Sequence, residues 1–266
     1  MATKFADLAK GPTDLLNDDY TTKQSLKCKK NAGPVAVTIE TGRGAGGALT
    51  SKIGSKFNYG KLNVDKAQAT ADGGQVLETS MKVAPNVKVS FKSGKGAILG
   101  VDYSQGNLFA TGSLDVVKMD GFSTSACMSL PSGVKAGADA TYGLSGKTGI
   151  TSLNIGASYA TGALFGAVTS VNKFSSVNLG VMYQVNPQVT VASATSHSGD
   201  NAFSLNALGG SYKADFGTLK AKYAGDGSVS AALIKDIAPK VSLTVSGTAS
   251  LSNPSETFKY GMGIVM

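Results

Sequence analysis

The chain has 266 residues, a formal net charge of +8, 42% hydrophobic residues and only 16% charged ones. That charged share lies below the roughly 25% usual for soluble domains. Its 34 glycines against seven prolines fit many tight turns, with too many dispersed Val, Leu, Ile and Phe for a disordered chain. No run reaches about 18 apolar residues, which excludes a transmembrane helix but leaves membrane strands open, because their hydropathy signal is weak.

The N-terminus, Met-Ala-Thr-Lys-Phe-Ala-Asp, has no apolar core before a cleavage site and lacks the Arg-rich character of a matrix transit peptide. A barrel without a secretory signal points to the outer membrane of a eukaryotic organelle. The basic balance raises nucleic acid as a partner. Scattered single lysines, with no basic helix or aromatic-flanked patch, argue against it. Cationic walls of an anion-preferring pore account for the same charge.

Residues 1–20 read differently from the rest. Phe5, Leu8, Leu15 and Leu16 recur at helical spacing, with Lys4, Asp7, Lys10 and Asp14 off that stripe. Gly11-Pro12 is expected to kink or interrupt this amphipathic segment. A barrel interior would supply the surface that it packs on.

From about Thr22 the pattern changes to period two, and roughly nineteen alternating segments follow to the end of the chain. The first begin near Thr22 and Val35, the last near Lys240 and Glu256. Val87, Val89 and Phe91 alternate with Lys88, Ser90 and Lys92; Leu153, Ile155, Ala157 and Tyr159 with Ser152, Asn154, Gly156 and Ser158. Leu219, Ala221 and Tyr223 oppose Lys220 and Lys222. Val241, Leu243 and Val245 oppose Lys240, Ser242 and Thr244. Successive side chains of a strand point to opposite faces, so each segment has one oily and one wet face. A chain of such segments, each about ten residues long, predicts an all-β transmembrane barrel.

Turn residues sit between the segments: Gly106-Asn107, Asn186-Pro187, Ser198 to Asn201, Gly225-Asp226-Gly227 and Asn253-Pro254. The turns are expected to be short at both ends. Tyr103, Tyr142, Tyr183 and Tyr223 fall at segment ends, where a membrane interface would hold them. No composition shift marks a boundary, so residues 1–20 are a helical segment of one domain and residues 21–266 its barrel.

Catalytic chemistry has little support. His197 is the only histidine and is expected in a solvated turn. Gly42-Arg-Gly-Ala-Gly-Gly47 follows a strand but opens no helix, so it reads as a turn. Cys28 and Cys127 are far apart and read as inert strand thiols, and no metal-ligand spacing occurs. No cofactor, metal site or enzymatic activity is expected.

At this point several stretches carry a resemblance. Phe5-Ala-Asp-Leu-Ala-Lys-Gly-Pro-Thr-Asp-Leu-Leu-Asn-Asp-Asp-Tyr20 resembles the N-terminal helix of the mitochondrial porins, the voltage-dependent anion channels. Leu26-Lys-Cys-Lys29 is similar to that family's first strand. Tyr212-Lys-Ala-Asp215 with Leu219-Lys-Ala-Lys222 is similar to a late-strand signature. Lys259-Tyr-Gly-Met-Gly-Ile-Val-Met266 resembles the sorting signal of mitochondrial β-barrels, with Lys259, Gly261, Ile264 and Met266 at its key positions. Nineteen is the strand number already known for this family, so the segment count agrees with the resemblance and is not an independent measure. The chain departs from the family at Thr13 and Asp18, where more basic residues are common. Asp65 and Lys66 are the nearest candidates for the membrane-facing glutamate of animal members.

The resemblance implies a voltage-gated, weakly anion-selective channel of the mitochondrial outer membrane. It would pass ATP, ADP, small anions and other ions, with Phe5, Asp7, Leu8, Lys10, Asp14, Leu15 and Leu16 on a helix inside the lumen. The polar-face lysines Lys27, Lys29, Lys88, Lys92, Lys220, Lys222, Lys240 and Lys259 are expected to line the pore. The bilayer is the main partner; cytosolic docking proteins and self-association are further ones. Three alternatives remain on sequence: the protein-import pore of the same membrane, a bacterial-type porin and a soluble β-rich binding protein.

Overall fold

The structure, a computed structural model, describes residues 3–44, 46–146, 148–199, 203–253 and 257–266. The period-two segments all form strands. The first nine are β1 (Gln24–Ala32), β2 (Val35–Arg43), β3 (Leu49–Tyr59), β4 (Leu62–Thr70), β5 (Gln75–Ala84), β6 (Val87–Ser93), β7 (Ala97–Gln105), β8 (Leu108–Asp115) and β9 (Gly121–Ser129). The next five are β10 (Val134–Gly143), β11 (Gly149–Thr161), β12 (Leu164–Val171), β13 (Ser176–Gln184) and β14 (Val189–Ser198). The last five are β15 (Ser204–Ala214), β16 (Gly217–Ala224), β17 (Ser228–Ala238), β18 (Val241–Ser250) and β19 (Lys259–Val265). Each strand pairs antiparallel with its sequence neighbours, and β1 pairs with β19 to close one 19-stranded sheet. With an odd number of strands the closing pair must run parallel. It does, over four residue pairs from Gln24↔Met262 to Lys27↔Val265. Met266 extends this seam: its N–H donates to the Lys27 carbonyl and its carbonyl accepts from Lys29 N–H.

Register and alternation sort every strand residue to one of two faces. Outward positions such as Leu26, Ile39, Ile53, Leu99, Leu179, Val245 and Met262 keep two fifths to one half of their surface uncovered by protein, which is the surface lipid would cover. Among the described strand residues the outward face carries no carboxylate. Its three cations, Lys30, Arg43 and Lys235, lie within three residues of a strand end, from where long stems can carry their charges to the headgroups. Eight of the nine tyrosines face outward near a rim. Tyr59, Tyr103, Tyr159, Tyr183 and Tyr212 sit at one end, and Tyr142, Tyr223 and Tyr260 at the other. This completes two belts of which the sequence pattern marked only half.

The turns are short at both rims, as expected, but the two rims differ. Turns after odd-numbered strands span two to four residues, and those after even-numbered strands three to eight. Asn186 caps one tight turn by accepting from Gln188 and Val189 N–H. Gly106 takes φ 56° in another, a conformation that glycine reaches at little cost. Of the turns read from sequence, Ala45, part of Ser198–Asn201 and Pro254 lie outside the described residues.

The N-terminal segment crosses the lumen. A 3-10 turn, Phe5–Asp7, precedes α1 (Lys10–Asn17). The break falls at Ala9 (φ −105°, ψ 15°), not at Gly11-Pro12 as expected. Pro12 occupies the first turn of α1, where backbone N–H groups have no intrahelical partner and a proline costs nothing. It joins the buried stripe: Leu8 is 1% exposed, Leu16 1% and Leu15 8%.

That stripe matches a row of glycines on alternate strands. A Cβ on Gly156 of β11 would lie 3.3 Å from a Leu8 methyl. One on Gly180 of β13 would lie 3.3 Å from the Pro12 ring, and one on Gly209 of β15 3.0 Å from a Leu16 methyl. Pro12 and Leu16, at i and i+4, share one face of α1, Leu8 precedes the break at Ala9, and each of the three finds a wall without a side chain. Met182, Ala192, Ala194 and Ala207 fill the space around Leu15 and Leu16. Burying a leucine in this way contributes roughly 2 kcal/mol. Among the described residues, and apart from the glycine's own chain neighbours, only Pro12 comes within 4 Å of the site of a Gly180 Cβ. Gly180→Val is therefore expected to weaken arm docking by about 1–3 kcal/mol, the usual cost of overpacking, and to spare the barrel. Faster proteolysis of the arm with an unchanged far-UV CD melt of the sheet would show this.

Candidate functional site

The site is the lumen: its polar wall and the arm laid across it. Opposite-charge pairs organise the wall by register. Lys27, Glu40 and Lys52 are cross-strand neighbours on β1, β2 and β3. Glu40 bridges the two lysines, at 3.5 Å from Lys27 and 2.9 Å from Lys52. Lys92 pairs with Glu78 at 3.1 Å. Asp65 sits at a bulge where β4 shifts register, accepts from the buried Ser80 hydroxyl and lies 3.8 Å from Lys88. It therefore faces the lumen and is no counterpart of a lipid-facing glutamate.

The charge is unevenly distributed. Strands β1 to β6 turn Lys27, Lys29, Lys52, Lys56, Lys66, Lys82, Lys88 and Lys92 inward against Glu40, Asp65 and Glu78. Lys29, Lys56 and Lys66 have no carboxylate in ion-pair range among the described residues. They surround a cleft of about 350 Å³ floored by Ala36, Thr38 and Gly54. The opposite wall, β9 to β15, turns only Lys135, Lys213 and Asp139 inward. The arm packs on this weakly charged side, with α1 against β13, β14 and β15. The passage left open is thus bounded on one side by the cationic strands β1 to β6.

Both ends of the arm are tied by charge. Lys4 reaches Asp102 at 3.5 Å and lies 5.3 Å from the Phe109 ring centroid. Asp19, in a left-handed conformation (φ 76°), pairs with Lys220 at 2.6 Å. Lys222 sits 4.7 Å over the Tyr20 ring. Lys10 and Asp7 pair with each other at 4.0 Å. Asp14 is half-buried on α1, and Phe5 is half-buried at the tip.

Of the sequence-derived pore lysines, Lys27, Lys29, Lys88, Lys92, Lys220, Lys222 and Lys259 face inward. Lys240 does not belong with them. It occupies the Pro239-Lys240 turn at a rim with φ 68°, outside both neighbouring strands. The alternation that seemed to include it begins one residue later. Lys52, Lys56, Lys66, Lys82, Lys135 and Lys213 are further inward lysines, each two or four residues from another polar residue on the same face. His197 is also displaced from its expected turn. It is the penultimate residue of β14, outward-facing and stacked on Phe203 at 4.9 Å. Cys28 faces outward, whereas Cys127 faces inward and is 1% exposed.

At one rim, turn carboxylates add fixed negative charge. The Thr70 hydroxyl and Gly74 N–H hold Asp72 below the usual carboxylate range. The Ser228 hydroxyl and N–H do the same for Asp226. Both stay ionised at neutral and mildly acidic pH.

Since Glu40 neutralises two lysines, Glu40→Gln is expected to increase any anion preference, and Lys52→Gln to reduce it. Reversal potentials of bilayer currents under a KCl gradient check this directly.

The eukaryotic porin family model matches residues 2–261. The chain is 27% identical over 285 aligned positions to mitochondrial outer membrane protein porin 5 of Oryza sativa, covering 98% of this chain and 96% of that one. It is 26% identical to the mitochondrial outer membrane porin of Neurospora crassa, covering 71% of each. Two engineered variants of the Rhodopseudomonas blastica porin superpose with TM-scores of 0.52 and 0.51 over 91% of this chain and 95% of theirs. At 12% identity they establish the fold alone, a closed β-barrel. The chain belongs to the eukaryotic porin family, and it forms a channel of the mitochondrial outer membrane.

Proposed function

We propose that this channel is voltage-gated and weakly anion-selective, passing ATP, ADP and smaller anions. The observation that carries this reading is the eight-to-three excess of lysine over carboxylate on β1–β6, a stretch of wall away from the strands that α1 packs on. In a wide aqueous pore each charge acts through high dielectric and contributes about 1 kcal/mol at contact. Beyond roughly 8 Å, physiological salt screens it. Preference is then a sum over many weak sites, which favours multivalent anions without holding them tightly. An inward-facing charge that crosses the full field gains about 2.3 kcal/mol per 100 mV. A few such charges suffice to bias two conductance states. Lys259, Gly261, Ile264 and Met266 act as the sorting signal in this reading.

The test is planar-bilayer current from refolded protein under a KCl gradient. Large steps with anion-favouring reversal, closing at high voltage of either sign, are expected. Cation preference would overturn the selectivity assignment. Combined Lys29→Glu, Lys56→Glu and Lys66→Glu substitution is expected to move reversal towards cations. The rim substitution Lys240→Glu should change it far less. Both effects should shrink in 1 M salt, where screening falls to about 3 Å.

A further inference from the structure

The chain between α1 and β1 does not hang free. It runs along the lumenal side of β16, β18 and β19. Asp19 is held by Lys220 and Tyr20 by Lys222 on β16. The Thr21 carbonyl accepts from the Ser246 hydroxyl on β18; at Lys23 the chain enters the parallel seam, where its carbonyl accepts from Met262 N–H on β19 at 3.0 Å. Ser246 is 4% exposed, although it faces a wide lumen. Its cross-strand partner is Gly261. A Cβ on Gly261 would collide with the Thr21 carbonyl oxygen, lying 2.7 Å from its carbon and 2.8 Å from the Lys23 carbonyl oxygen. These neighbours are backbone, so no side-chain rotation relieves the clash. No other residue type fits there while the connection keeps this path.

We propose that Gly261 and Ser246 form the seat of the N-terminal arm: they are positioning residues that set where the arm leaves the wall, and so where α1 lies in the pore. Gly261 then has a duty distinct from sorting. It leaves an opening in the wall that a backbone carbonyl fills, and Ser246 supplies the hydrogen that fixes that carbonyl. The contacts of Tyr20 and Asp19 lie one and two residues upstream. A displaced Thr21 is therefore transmitted directly into α1.

The two native cysteines separate this role from a general role in the sheet. Cys127 shares an inward row with Gly137 and Gly156 across β9, β10 and β11. Leu8 lies over Gly156, and the 3-10 turn packs on β9 and β10. Cys127 is thus covered by the tip of the arm, far from the seat. Cys28 lies outward on β1, beside the parallel seam with β19. It reports seam rupture.

The experiment measures modification of both thiols by a charged, water-soluble methanethiosulfonate on full-length protein in lipid vesicles, resolved by peptide mass spectrometry. Wild-type Cys127 should react slowly. Gly261→Ala is expected to speed its modification by about tenfold through local detachment of the arm, with Cys28 unchanged. Ser246→Ala, which adds no bulk and leaves the strand pairing intact, should speed it severalfold. Should Gly261→Ala not assemble, Ser246→Ala decides alone. An unchanged Cys127 rate in the assembled variants overturns the proposal. So does a parallel rise at Cys28, which would show that the glycine serves the seam and not the arm.

Discussion

Lipid offers no hydrogen-bond partners, so a chain that crosses it with strands must pair every one of them and close the sheet. The rest of this molecule is arranged around that closure. Nineteen antiparallel neighbours cannot close without one parallel contact, and here the closing contact is the shortest ladder in the barrel. The chain terminus reinforces it: Met266 makes two backbone hydrogen bonds to β1 beyond the last strand residue. The connection from the arm crosses the inner side of the same seam. Closure and arm placement are thus settled at one place in the wall, by residues from both ends of the sequence.

Closure also divides the side chains into two populations with opposite requirements. Outward residues meet lipid and exclude carboxylates altogether among the described strands. Inward residues meet water and tolerate lysines in excess. A charge costs several times more in lipid than in a wet lumen, which explains why Lys30, Arg43 and Lys235 stay near the rims. The lumenal excess is not spread evenly. Where the arm docks, the wall carries Gly, Ala and Ser, because a packed helix needs smooth apolar contact. Where it does not, lysines accumulate. Helix docking and a cationic passage are therefore two consequences of one division of the wall.

How much of this was legible in the sequence depends on the range of each interaction. Period-two alternation is local, so the membrane fold and about half of the inward lysines could be read from it, while the strand count leaned on the family resemblance. The helical stripe Phe5, Leu8, Leu15, Leu16 was equally local. The role of Pro12 was not: a proline after glycine looks like a break until the helix start is known to lie at Ala9. Lys240 failed for a similar reason. One turn residue continues an alternating pattern on paper, yet its left-handed backbone removes it from the sheet. His197 failed in the opposite direction, because a polar neighbourhood suggested a turn where the ladder in fact continues.

By itself the sequence determined that the chain forms membrane strands, which face of each is wet, and that a short amphipathic segment precedes them. These follow from side-chain chemistry over a few residues. Only the tertiary structure decided which strands the arm lies on, that Gly156, Gly180 and Gly209 line up beneath Leu8, Pro12 and Leu16, and that Thr21 rests against Gly261. Those contacts join residues up to some 240 positions apart. Their partners are glycines and backbone carbonyls, which carry no distinguishing side chain. Nothing in local patterning marks such a pair until closure brings the two ends of the chain together.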